Sequence, residues 1–284
     1  MEKHEGKLNL ITEKFSSIAE LMTTLEKREN NVIMKNCHSS STKGDKSWYG
    51  TDSFEEASQL MRTGYTEVLP KIKEGLKTSS KVISRLTSDI PKRKQENSVI
   101  GFVPNVPNAL LNLPNSMIDV KMIIQKRKTL NIVYIMSGNA GCSIDMWIKA
   151  GISLLTAIKI VERMGISVKI DCSFYCGTID NETAMGSVTV KNYGQPLDIQ
   201  KLCFPLVNPS MFRRIGFKFL ETTPIISKEA FAYGYGRGFE MNSSEIVKKI
   251  EDERTYVLHG QWIKDHNYEV KEILNYLNFS KWQI

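Results

Sequence analysis

The chain of 284 residues is 41% apolar and 24% charged with a formal net charge of +7, the balance of an ordinary globular protein with a modest basic excess. A chain of that length can bury roughly three quarters of its unfolded surface, so it requires neither a metal nor a disulfide staple. The longest apolar runs fall well short of the ~20 residues a bilayer-spanning helix needs, and the charged start Met1-Glu2-Lys3-His4-Glu5-Gly6-Lys7 is not a secretory signal; an intracellular protein without a membrane association is expected.

Residues 1–90 read as a helical region. Ile18, Leu21, Met22 and Leu25 share one face of a helix between Ser17 and Arg28, and a second pattern runs from Thr66 to Leu86 through Val68, Leu69, Ile72, Leu76, Val82 and Ile83. Between them, Trp48-Tyr49-Gly50-Thr51-Asp52-Ser53-Phe54-Glu55-Glu56-Ala57 contains a capping box, in which Ser53 caps a helix over 54–62 and Glu56 returns a bond to the Ser53 amide. Gly64 stops that helix, and Trp48 staples its entry to the core.

Composition then shifts. From Ser88 to Met117, Pro91, Pro104, Pro107 and Pro114 exclude helix over most of the stretch, and Pro-Asn pairs recur at 104, 107 and 114. Interleaved Phe102, Val103, Val106, Leu110, Leu111 and Leu113 argue against a free linker, so residues 91–117 are expected as an extended segment laid across the main domain. The basic clusters Lys92-Arg93-Lys94 and Lys126-Arg127-Lys128 read as solvated turns or helix ends, with no aromatic interleaving to stack on bases.

The segment 118–284 reads as an α/β domain. Leu130 to Met136 is apolar and β-branched enough for a buried strand, Met146 to Met164 forms a long apolar helix stopped by Gly165, and Ile166 to Ile170 begins a second strand. A strand, helix, strand crossover of this length makes the two strands parallel. Further strands are read at 187–191 and 256–259, and further helices at 198–204, 210–221 and 268–277, with a break at Pro205. The fold class is α/β, with a mainly parallel sheet flanked by helices.

Five cysteines, Cys37, Cys142, Cys172, Cys176 and Cys203, are an odd number that reads as reduced thiols, and Cys172 and Cys176 read as core residues because no second Cys pair or nearby His completes a zinc set. The loop Met136-Ser137-Gly138-Asn139-Ala140-Gly141-Cys142-Ser143 lies where such folds bind ligands, yet Gly138 and Gly141 alone do not make a dinucleotide fingerprint, and Lys43-Gly44 is not a P-loop. No cofactor and no metal is expected. Ser137, Asn139, Ser143 and Asp145 are the ligand-facing candidates here, with Ser143 and Asp145 also suited to the helix N-terminus.

Two further segments are candidates for partner contact. Tyr233-Gly234-Tyr235-Gly236-Arg237-Gly238-Phe239 can stack on bases or grip a phosphate through Tyr233, Tyr235 and Arg237. Asn208-Pro209-Ser210-Met211-Phe212-Arg213-Arg214 opens a helix whose adjacent arginines diverge by about 100°, so one of Arg213 and Arg214 is expected to face a ligand and the other solvent. His259 and His266, flanking Trp262 beside Asp265, are expected to be partly exposed and lack a nucleophile to serve.

The loop after the first α/β strand resembles the adhesion loop of von Willebrand factor A-like domains, which carries Asp-x-Ser-x-Ser; Met136, Gly138 and Ala140 stand in its three ligand places, so the resemblance implies the architecture without the metal. The Trp48 to Ala57 motif, the central strand-helix-strand unit and the Asn208 to Arg214 motif together resemble an uncharacterised family of tailed-bacteriophage proteins over about residues 15–225. That resemblance implies a viral protein acting in the host cytoplasm and supplies no catalytic residues. Absence of a catalytic constellation points to a non-enzymatic binding protein, with a protein partner first and nucleic acid second. The alternatives are a metal-dependent nuclease assembling Asp145, Asp171 and Glu240, which must then converge, and a virion structural component.

Overall fold

The computed structural model describes residues 9–29, 46–78, 94–121, 128–138, 141–177, 182–223 and 255–278. Strand β1 is Asn9–Phe15, followed by helices α1 (Ile18–Lys27), α2 (Lys46–Tyr49), α3 (Phe54–Thr63) and α4 (Leu69–Thr78). An arm follows, made of β2 (Lys94–Ser98), β3 (Val103–Pro104), α5 (Val106–Leu110) and β4 (Met117–Lys121). Then come β5 (Thr129–Ile135), α6 (Ile144–Arg163), β6 (Ser167–Gly177), β7 (Glu182–Lys191) and α7 (Ile199–Val207). A π-helix over Met211–Gly216 leads into α8 (Phe217–Thr222), and β8 (Tyr256–His259), α9 (Gly260–Asp265) and α10 (Val270–Tyr276) complete the described elements.

The main sheet has the order β1-β7-β6-β5-β8. Pairings β5 with β6, β5 with β8 and β1 with β7 are parallel, and only β6 with β7 is antiparallel, so the protein has the mainly parallel α/β sheet read from its sequence. Along β5 the side chains alternate between two buried layers: Leu130, Ile132, Tyr134 and Met136 join the large core, whereas Val133 and Ile135 pack with Tyr175, Met185 and Val257 on the opposite face. Strands covered on both sides need continuous apolar runs, which is why Ile132 to Met136 contains no charge.

Helix α6 covers the large-core face through Ala150, Leu154, Leu155, Ala157, Ile158 and Val161. Leu21, Met22 and Leu25 of α1, Ala57 and Met61 of α3 and Ile72 of α4 lie in that same core, so the first helices pack with the sheet rather than beside it. Strand β1 corrects the all-helical reading of the N-terminal region. Its partner β7 lies more than 150 residues away, as the register Asn9 with Glu182 shows, and a pairing so remote leaves no local periodicity to read.

Several local readings are confirmed and two are refined. Ser53 caps α3 by accepting from the Glu56 amide at 3.1 Å, but the Glu56 carboxylate accepts from the Asp52 amide at 2.6 Å, one residue earlier than the box requires. Helix α7 runs through Pro205 to Val207, and the chain leaves it at Asn208-Pro209, where the Asn208 side chain accepts from the Ser210 amide at 2.9 Å.

Residues 94–121 are neither extended nor laid on the core. They fold as a three-stranded antiparallel sheet in the order β2-β4-β3 with a short helix, and β4 carries this unit past residue 117 to Lys121. Asn105 caps α5 and Pro107 sits in its first turn, where a missing N–H costs nothing. Among the described residues, none of the arm's side chains joins either core cluster.

Candidate functional site

The loop leaving β5 lies at the carboxyl ends of parallel strands, the place where open α/β sheets bind ligands. Ser137 there is buried, and its hydroxyl accepts a hydrogen bond from the Tyr175 amide of β6. The Ser137 carbonyl is bonded to the His259 ring at Nε2, while Nδ1 of that ring accepts from the Gln261 amide at 3.1 Å. An accepting Nδ1 places the ring proton on Nε2, so His259 donates to Ser137 as a neutral imidazole. Burial pushes its pKa down to about 4, against the small upward pull of the Ser137 bond.

This places His259 inside the molecule, contrary to the partial exposure expected for it. Trp147 of α6 fills the space beside it, ring to ring at 5.8 Å in an edge-on arrangement. Side chains at Gly138 or Gly260 would come within 2.6 and 2.5 Å of the Trp147 indole, so the turns after β5 and β8 close directly onto that ring. His266 is also engaged: it stacks on Trp262 at 4.0 Å, and its Nδ1 lies 2.8 Å from the Trp262 carbonyl.

The remaining strand-end candidates have local work. Ser143 caps α6 by accepting from the Met146 amide at 3.2 Å, and Asp145 pairs with Lys149 at 2.7 Å on the exposed helix surface. Met136, in the place of an adhesion-loop aspartate, is a core residue. Asp171 is buried between Lys169 at 2.6 Å and the Thr189 hydroxyl, which donates to it at 2.6 Å. Asp145 and Asp171 are therefore held by different partners on different elements, and Glu240 lies outside the described residues, as do Asn139, Tyr233, Tyr235 and Arg237. Among the described residues no group of three or more His, Cys, Asp or Glu is arranged to hold a metal ion. Cys172 and Cys203 are buried free thiols.

Arg213 and Arg214 depart from the expectation that one faces solvent, since both are buried. The Arg213 guanidinium lies over the Trp48 ring at 4.0 Å and donates to the Trp48 carbonyl at 2.5 Å and to the Cys142 carbonyl at 2.6 Å. Arg214 lies over the Tyr49 ring at 4.0 Å and donates to the Thr51 carbonyl at 2.9 Å. Burial lowers both pKa values, that of Arg213 to about 10, so Arg213 remains cationic at neutral pH. A guanidinium can be buried this way because its planar face stacks on an aromatic ring while its edge serves carbonyls.

The two segments Trp48 to Asp52 and Asn208 to Arg214 thus form one interlocked knot. Ser210 donates to the Tyr49 carbonyl at 2.6 Å, and its hydroxyl is 2.9 Å from that of Thr51. Gly50, at φ +92°, passes so close that a Cβ would meet Asn208 Oδ1 at 2.6 Å and Pro209 Cγ at 2.8 Å. Through Cys142 the knot also fixes the loop between β5 and α6. Its polar groups bind the chain to itself.

The arm presents the opposite situation. Among the described residues the large apolar side chains left exposed are almost all here: Val99, Ile100, Phe102, Val103, Val106, Leu110, Leu111 and Leu113, with Phe102 and Ile100 each 81% accessible. Single exposed apolar residues are ordinary, whereas a cluster of this kind marks a contact surface. The sequence reading treated these residues as packing for the main domain and so missed their exposure. A sequence signal existed, because residues 97–118 contain no Asp, Glu, Lys, Arg or His.

No curated protein and no solved structure matches the chain significantly. A family described only as a domain of unknown function, DUF7192, matches residues 2–281, and the chain belongs to that family.

Proposed function

We propose that this is a non-enzymatic binding protein in which the α/β body is a scaffold and the arm of residues 94–121 is the working surface. The observation that carries this reading is the contrast in how side chains are used. Ser137 and His259 at the strand ends, and Arg213 and Arg214 in the interlocked knot, are buried in internal contacts, while the arm leaves its apolar side chains in water. An occupant that covers them has an apolar interior, and the basic residues flanking the arm favour an acidic rim. A protein groove of that character fits the expected protein partner. Nucleic acid fits less well, since the arm's uncharged tip has no cation to set against a phosphate.

The resemblance of the two knot segments to tailed-phage proteins supports a viral origin, and hence action in the host cytoplasm. No described helix is long and apolar enough to cross a membrane.

The reading is tested by affinity capture from host lysate with wild-type protein and with a Phe102→Asp, Leu110→Asp double variant. Both positions are exposed, so the thermal midpoint is expected to stay within the small range of surface substitutions. Capture is expected to fall about tenfold or more, and equal capture by both proteins would place the working surface elsewhere.

A further inference from the structure

We draw no further inference here: the strongest candidate, the exposed apolar patch on the arm of residues 94–121, belongs to the surface already described, and nothing in the structure shows what covers it.

Discussion

Gly50→Val is expected to destabilise the protein by about 3 kcal/mol or more, seen as a fall of roughly 8 °C or more in thermal midpoint. Two costs add. Valine is β-branched and disfavours the positive φ of +92° that this turn adopts, and its Cβ would sit 2.6 Å from Asn208 Oδ1 and 2.8 Å from Pro209 Cγ. Neither neighbour can move freely, because Asn208 closes its own turn onto Ser210 and Ser210 is bonded to Tyr49. The strain therefore spreads through the seats of Arg213 and Arg214, whose carbonyl partners lie on either side of Gly50. A midpoint within 2 °C of wild type, measured by calorimetry, would show that the knot is not the fixed junction described.

Stability is expected to fall as pH drops from about 6.5 toward 4, and His259→Phe is expected to flatten that dependence. The folded pKa of His259 is pushed down to about 4 by burial, below the ordinary 6.5 that applies to the unfolded chain. Between these values the unfolded state binds more protons than the folded one, so stability rises with pH across the window and is fully present above about 6.5. The separation corresponds to roughly 3 kcal/mol at its largest, reached near the lower end of the window. Protonation also removes the Nδ1 lone pair that accepts from Gln261, which detaches one of the two contacts tying α9 to the loop at Ser137. Urea titrations at pH 7 and pH 5 on both proteins supply the test; an equal pH dependence in the Phe variant would mean that carboxylates alone produce it.

What the sequence made legible was local. The cap at Ser53, the stop at Gly64, the cap at Ser143 and the parallel β5-α6-β6 crossover all rest on residues within a few positions of one another or on a long apolar run, and each appears as read. Strand β1, the joining of the first helices to the main core and the burial of both arginines depend on contacts between residues over 150 apart, such as Arg213 with Trp48. An arginine pair in sequence looks like a surface feature because the aromatic faces and carbonyls that make burial tolerable belong to another segment. The π-helix adds to this, since its wider turn changes the angle between adjacent side chains that an α-helical reading assumes.

The strand-end loop shows the same limit from another side. Its small residues suggest room for a ligand, but Gly138 and Gly260 are small because Trp147 packs against both turns. Nothing in the local sequence assigns that indole to them. The arm was misread for a different reason: apolar residues between prolines imply burial, whereas the structure leaves the uncharged stretch 97–118 outside this chain's own core.

The measurement that tests the central claim most directly is site-specific photo-crosslinking, with a benzophenone side chain placed at Phe102 in one protein and at Asp145 in another. Both positions are exposed, the first on the arm and the second beside the strand-end loop. The account predicts adducts with a protein partner from position 102 and none from position 145 when each protein is irradiated in host lysate. Adducts from position 145 with none from 102 would contradict it and return the working surface to the ends of the parallel strands.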